Sequence, residues 1–113
     1  MSRMRISTIV DIAIVMIRID DYVLDTLLRD LVGHDKSPSA YLVYLFLWSR
    51  AAGGRGRSVR VSHKTIADET GLSKSAVQSA IRHLNRRKLL RSVRETVTST
   101  PEHFVLRPWA QRP

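Results

Sequence analysis

Lys74, Ser75, Gln78, Ser79 and Arg82 alternate with Val77, Ala80, Ile81 and Leu84 in the stretch KSAVQSAIRHLNRRK. Wound as a helix, this spacing puts the apolar residues on one face and the polar ones on the other. The polar set has a chemistry. A glutamine amide offers a donor and an acceptor side by side, which matches the edge of an adenine, and a lysine reaches a guanine edge or a phosphate. Ser75 and Ser79 are short and let a backbone approach closely. Arg82 lies two turns along, where a phosphate contact is expected rather than a base contact. The plain alternative is a solvated helix face that binds nothing.

The neighbouring residues predict how this helix is held. Ser73 is the expected cap of a helix over 74–88, and Gly71 ends the preceding helix, 63–70, at a position that favours glycine. Leu72 fills the corner between them. Ser62 caps the first helix of the pair, with Ile66 and Ala67 facing inward. Helix N-termini carry free backbone N–H groups that bind phosphate, so Ser62, His63, Lys64 and Ser73 are the expected backbone clamps. After the second helix, residues 90–95 (LRSVRE) and 103–107 (HFVLR) read as strands of a hairpin. Arg91 and Arg94 lie on it, and Thr96, Thr98 and Ser99 sit at its tip beside Pro101. Arg86, Arg87 and Lys88 complement the helix dipole at the end of 74–88. A structural role and a polyanion contact are both open to them.

Upstream, 20–32 (DDYVLDTLLRDLV) reads as a helix capped by Asp20 or Asp21 and stopped at Gly33, with Tyr22 or Val23, Leu27, Leu28 and Leu31 as its apolar stripe. Its acids are expected to be solvated. Residues 39–52 are apolar almost all round and predict a core helix. Its aromatics, Tyr41, Tyr44, Phe46 and Trp48, fit packing better than base stacking. GGRGRS (53–58) lacks the Lys-Ser/Thr of a phosphate loop and reads as a basic turn. SVRV (58–61) reads as a short strand. The Ile/Val-rich run in 1–19 suits a strand, a packed arm or a loose leader. Trp109 is placed to dock on the core.

The chain has 113 residues, enough for one domain. It has no cysteine, which removes disulfides and thiolate metal sites. The formal net charge is +9. Residues 1–57 hold 8 basic and 6 acidic side chains, against 11 and 4 in 58–113. A basic half suits a polyanionic partner, through counterion release. IVDIAIVMI (9–17) is too short and too charged to span a membrane, and the acids after it do not fit a signal peptide. His34, His63, His83 and His103 show no metal-ligand spacing, and no serine sits in a nucleophile elbow. Neither a catalytic centre, nor a metal, nor a cofactor is expected.

Taken in order (long helix, short strand, helix, tight turn, helix, hairpin), residues 38–107 resemble the winged helix-turn-helix domain of bacterial transcription regulators of the GntR and MarR groups. TIADETGLSKSAVQSAIRHLNRRKLL (65–90) carries the resemblance: Ala67 to Gly71, the Leu72 corner, Ser73, then Val77, Ile81, Leu84 and Leu89–Leu90. The resemblance implies a mainly α fold with a small antiparallel β wing. It implies an extra N-terminal arm and helix (1–36, a possible dimerisation element), a winged domain (37–108) and a tail (109–113). It implies sequence-specific binding of double-stranded DNA, with 74–88 in the major groove and 90–107 as the wing. In such domains the tip reaches the minor groove or flanking phosphates, yet this tip carries no Arg or Lys between Thr96 and Pro101. The implied protein is a cytoplasmic, nucleoid-associated bacterial homodimer, with residues 1–32 and 39–52 as candidate interface. Plasmid or phage replication and partition proteins use the same domain, and a partner-binding adaptor without DNA is the rival of another class. Operator, effector and direction of regulation are not written in these residues.

Overall fold

The computed structural model describes residues 16–51 and 58–110. The expected basic turn at 53–57 and most of the apolar N-terminal run lie outside the described residues. Met16–Ile19 approach the domain without regular structure.

Helix α1 (Val23–His34) departs from expectation in form and bounds. It is a wide π-helix, not an α-helix. At its end the Asp35 N–H bonds the Asp30 carbonyl, five residues back. Neither Asp20 nor Asp21 caps it through a side chain; the Asp20 carbonyl accepts from the Val23 N–H instead. Gly33 does not stop it, and the left-handed residue that turns the chain is Lys36, at φ 57°. Val23, Leu27 and Leu31, four apart, form its buried stripe, whereas Leu28 faces outward.

Helix α2 (Pro38–Ala51) buries Ala40, Tyr41, Val43, Tyr44, Leu47, Trp48 and Ala51. Tyr41, Tyr44 and Trp48 are core, as expected, with Phe46 partly buried against them, and the polar ends of the three are satisfied. The Tyr41 hydroxyl donates to the Val23 carbonyl (2.9 Å), that of Tyr44 to Leu106 (2.7 Å), and the Trp48 indole to Arg18 (2.7 Å). One helix thus anchors the start of α1, the exit of the wing and the N-terminal approach.

The next elements are β1 (Ser58–Arg60), α3 (His63–Thr70), α4 (Lys74–Arg86), β2 (Leu90–Val93), β3 (Glu102–Val105) and a short 3₁₀ turn at Pro108–Ala110. Both wing strands are shorter than the sequence suggested, and α4 stops two residues early. Lys88 adopts the left-handed conformation, at φ 63°, where a continuing helix was expected. The sheet is antiparallel in the order β1-β3-β2, so the short strand becomes the outer edge of the wing. Ser58 pairs with Phe104 and Arg60 with Glu102 on one side of β3; Leu90 pairs with Val105 on the other. A single core joins Val23, Leu27 and Leu31 of α1 to α2, to Ile66, to Val77, Ala80, Ile81 and Leu84, and to Leu89, Leu90 and Val105. Each fully buried Leu, Ile or Val contributes roughly 1.5–3 kcal/mol. The architecture is the expected one, a winged helix-turn-helix of helices and a small three-stranded sheet.

Candidate nucleic-acid interface

The helix pair is built by local chemistry. The Ser62 hydroxyl accepts from the Thr65 N–H (3.1 Å), and the Ser73 hydroxyl accepts from the Ala76 N–H (3.1 Å). Gly71 closes α3 at φ 84°, with its N–H on the Ala67 carbonyl. No atom lies within 4 Å of where a Cβ would stand there. A side chain at Gly71 therefore meets only backbone strain, roughly 1–2 kcal/mol. Burial of Val77, Ala80, Ile81 and Leu84 fixes the rotation of α4 and turns the opposite face to solvent.

On that face Lys74, Ser75, Ser79 and Arg82 are exposed and Gln78 is half-buried. Among the described residues, Lys74 and Gln78 make no side-chain hydrogen bond and no ion pair, so their donors are free. Arg82 donates to the Ser79 hydroxyl (3.2 Å), and Ser73 and Ser75 share a bond of 3.3 Å. Arg91 lies over the Phe104 ring, 4.2 Å from its centroid, with its guanidinium edge open. The expected clamps at the start of α3 are more committed. Ser62 also donates its hydroxyl proton to Thr65 (3.1 Å), and Lys64 bonds Asp68 (3.0 Å) four residues on. The Lys64 pair is solvent-exposed, of a kind worth little and easily redirected.

His63 opens α3 beside two cations of other elements. Burial first, then Arg94 of the wing and Lys74 of α4, holds its pKa below the ordinary histidine value. The charges of Lys74 and Arg94, two other expected contact residues, are thus felt at His63. The wing-tip residues are also ordered: the Thr96 N–H bonds the Ser99 hydroxyl (2.9 Å), and the Ser99 N–H bonds the Thr96 hydroxyl (3.1 Å). Thr98 is exposed beside them, 3.5 Å from the Thr96 hydroxyl.

Several supporting residues were missed by sequence reasoning. Asn85 donates to Ser92 (3.0 Å) and accepts from the Ser92 N–H (3.1 Å), fastening α4 to β2. Ser92 bonds His103 Nδ1 (2.8 Å), which extends the fastening to β3. His103 is fully buried and its Nε2 has no hydrogen-bond partner. Burial, then the neighbouring His63, lower its pKa to about 4, against an upward pull from the Val61 backbone and with a smaller downward one from Arg94. Its ring stacks near that of His63, centroids 6.2 Å apart.

The acids of residues 20–35 were expected to be solvated; one of them is nearly buried, and two more are partly exposed but tied to distant cations. Asp35 has a side chain only 7% exposed. It accepts from His83 Nε2 (2.7 Å), His34 Nδ1 (2.8 Å) and Arg87 (3.1 Å). Burial alone would raise its pKa, but the His34 and His83 hydrogen bonds and the Arg87 charge outweigh it and leave it lowered. Asp30 takes the other side of Arg87 at 2.7 Å. Arg87 is therefore a structural residue at the end of α4. Asp20 accepts from Arg107 (2.9 Å) and from the Trp109 indole (3.0 Å), while Trp109 stacks on Tyr22 at 4.5 Å. Trp109 does dock, and on the α1 side. No sequence period announces these pairs, because all but the adjacent His34–Asp35 join residues about 50 to 90 positions apart.

No helix of the described residues is long and apolar enough to cross a membrane. Among those residues no group of His, Asp or Glu could hold a metal ion. A family model described as a helix-turn-helix domain matches residues 34–90, just over half of the chain. No curated protein matches. Among solved structures, the crystal structure of the AntR antimony-specific transcriptional repressor is similar, at 18% identity and a TM-score of 0.48, over 86% of this chain and 76% of that one. At that level the likeness says nothing of function.

Proposed function

The chain belongs to the helix-turn-helix domain family, and from that premise we propose that it is a regulator that binds double-stranded DNA with α4 in the major groove. The observation that carries this reading is the outward face of α4. Lys74 and Gln78 hold free donors there, beside Ser75 and Ser79, and no hydrogen bond or ion pair of the described fold uses those donors. Gln78 is proposed to read adenine, and Lys74 guanine or a phosphate. Arg82, Arg91 and Arg94 are proposed to bind phosphates, with the α3 start (Ser62, His63, Lys64) and Ser73 clamping through backbone N–H groups.

The test is selection of bound duplexes from a random-sequence pool by the purified full chain. An enriched motif supports base reading, and a pool that stays random while binding tightly contradicts it. A two-fold symmetric motif would add a dimer. For that dimer the structure narrows the candidate surface. Most of α2 is committed to the core, but Ile17, Leu24, Leu28 and Leu42 remain outward. A chain that stays monomeric at high concentration in light scattering rules out this part of the reading.

A further inference from the structure

The inward face of the wing hairpin is half polar. Leu90, His103 and Val105 are buried and Ser92 half-buried, whereas Arg91 and Val93 are exposed. Leu90 stands opposite Val105, and Ser92 opposite His103. Two apolar residues on strands this short specify register weakly. A slip by one residue would turn Leu90 outward, but a slip by two keeps every side chain on its face. The polar pair tells these registers apart. Ser92 bonds His103 Nδ1 at 2.8 Å, a contact that needs the two residues opposite each other.

Asn85 ties this pair to α4. Its Oδ1 accepts from the Ser92 N–H (3.1 Å), and its Nδ2 donates to the Ser92 hydroxyl (3.0 Å) and to the Ile81 carbonyl of its own helix (2.8 Å). The amide is held from both sides and cannot follow β2 if the strand slides. The arrangement works against stability, since His103 is fully buried with no hydrogen-bond partner for Nε2, a defect that an apolar side chain would avoid. Buried polar groups that cost stability yet discriminate between packings are best known as register devices. What this register places is cationic. Arg91 stands opposite Phe104 and lies over its ring at 4.2 Å, and Arg94 leaves β2 and donates to the Val97 carbonyl (3.0 Å). Gln78 is on the helix that carries Asn85, about two turns before it. The bonds of Asn85 and Ser92 thus set the spacing between the outward face of α4 and both wing cations.

We propose that Asn85, Ser92 and His103 are positioning residues, a polar pin that sets the register of the wing on α4 so that Arg91 and Arg94 meet phosphates in the same docking event that seats α4. This rests on the DNA-binding reading. Without the pin the apolar core and the face of α4 remain, but the wing cations no longer stand at a fixed place. Fewer phosphates are then neutralised and fewer counterions released.

The chain has no cysteine, so Ser92→Cys combined with His103→Cys creates a single thiol pair at opposite positions. Opposite residues of antiparallel strands have Cα atoms about 4.5–5.5 Å apart, within reach of a disulfide. Oxidation pins the register covalently and reduction leaves it unpinned, in the same double variant of the full chain. Affinity for random-sequence duplex is measured by anisotropy across a salt series, below the melting temperature of each form. The oxidised form is expected to keep the wild-type salt slope, and the slope of the reduced form to fall by about one to two. Should the reduced form melt below the assay temperature, Asn85→Ala, which leaves the Ser92–His103 bond in place, carries the test, and its slope is expected to fall as well. Equal slopes for the oxidised and reduced forms, a wild-type slope in folded Asn85→Ala, or a thiol pair that does not oxidise overturns the proposal while the DNA reading stands. A wild type that binds no duplex at low salt removes that reading and this proposal together.

Discussion

Two sides of the molecule treat charge in opposite ways. On the α1 side, three acids hold cations of distant elements. Asp20 holds Arg107 and Trp109, and Asp30 and Asp35 hold Arg87, with His83 on Asp35. On the α4–wing side, Lys74, Arg82, Arg91 and Arg94 meet no carboxylate among the described residues. The wing has a matched pair as well, Arg60 of β1 with Glu102 of β3 (3.2 Å), but these four cations lie outside it. Distant pairing engages Arg87 and Arg107 and leaves Lys74, Arg82, Arg91 and Arg94 open. Matched charges fasten elements together, and unmatched ones remain available to a polyanion.

The matched side yields the largest expected effect. Asp35→Ala leaves Arg87 and His83 without their shared acceptor at a nearly buried site. It is expected to cost about 3 kcal/mol in urea unfolding, with an unchanged m-value. A loss under about 0.5 kcal/mol, the size of an ordinary surface change, would mean that the network does not hold α4 to α1.

Acid sharpens the contrast next. His103 is neutral in the fold, with a pKa near 4 against an ordinary value of 6.5. The unfolded chain therefore binds the extra proton first, and stability is full above pH 6.5 and lost as pH falls towards 4. The shift corresponds to about 3 kcal/mol at most over that window. Asp35 acts lower. Its depressed pKa means that its contribution is present above 3.8 and lost as pH falls below that value. His103→Gln should flatten the upper part of the profile, and an unchanged slope would assign it elsewhere.

On the open side the effects appear in binding. Gln78→Ala should cost ~1–3 kcal/mol on the preferred duplex and relax selection at one position. Equal weakening on every sequence would show that Gln78 does not read a base. The smallest effect concerns His63. Its pKa is held down by burial, Arg94 and Lys74 in the free chain, and a phosphate beside it favours the protonated ring. DNA affinity should therefore rise several-fold as pH falls from 7.5 to about 6, with proton uptake seen by calorimetry in buffers of different ionisation enthalpy. His63→Gln should remove that dependence.

The two sides also differ in how much the sequence disclosed. The open side was legible because its rules are local. Ser62, Gly71 and Ser73 declare helix ends within a few residues, and Val77, Ile81 and Leu84 declare a face. The matched side was not. Asp35 looks like a loop acid until folding places it against His83 and Arg87. Asp20 looks like a helix cap until Arg107 and Trp109 claim it. The π form of α1 was hidden for a related reason, since Val23, Leu27 and Leu31 are spaced by four and serve either helix type. The short β1 was legible as a strand, but its place at the edge of the wing depends on Phe104 and Glu102, more than 40 residues away.

The most direct test compares one cation from each side. Affinity for random-sequence duplex would be measured by anisotropy across a salt series for wild type, Lys74→Ala and Arg107→Ala. The expected result is a steep wild-type slope that falls by about one in Lys74→Ala and does not change in Arg107→Ala. Equal slopes for the two variants would contradict the division of the molecule into a fastened side and a DNA-facing side.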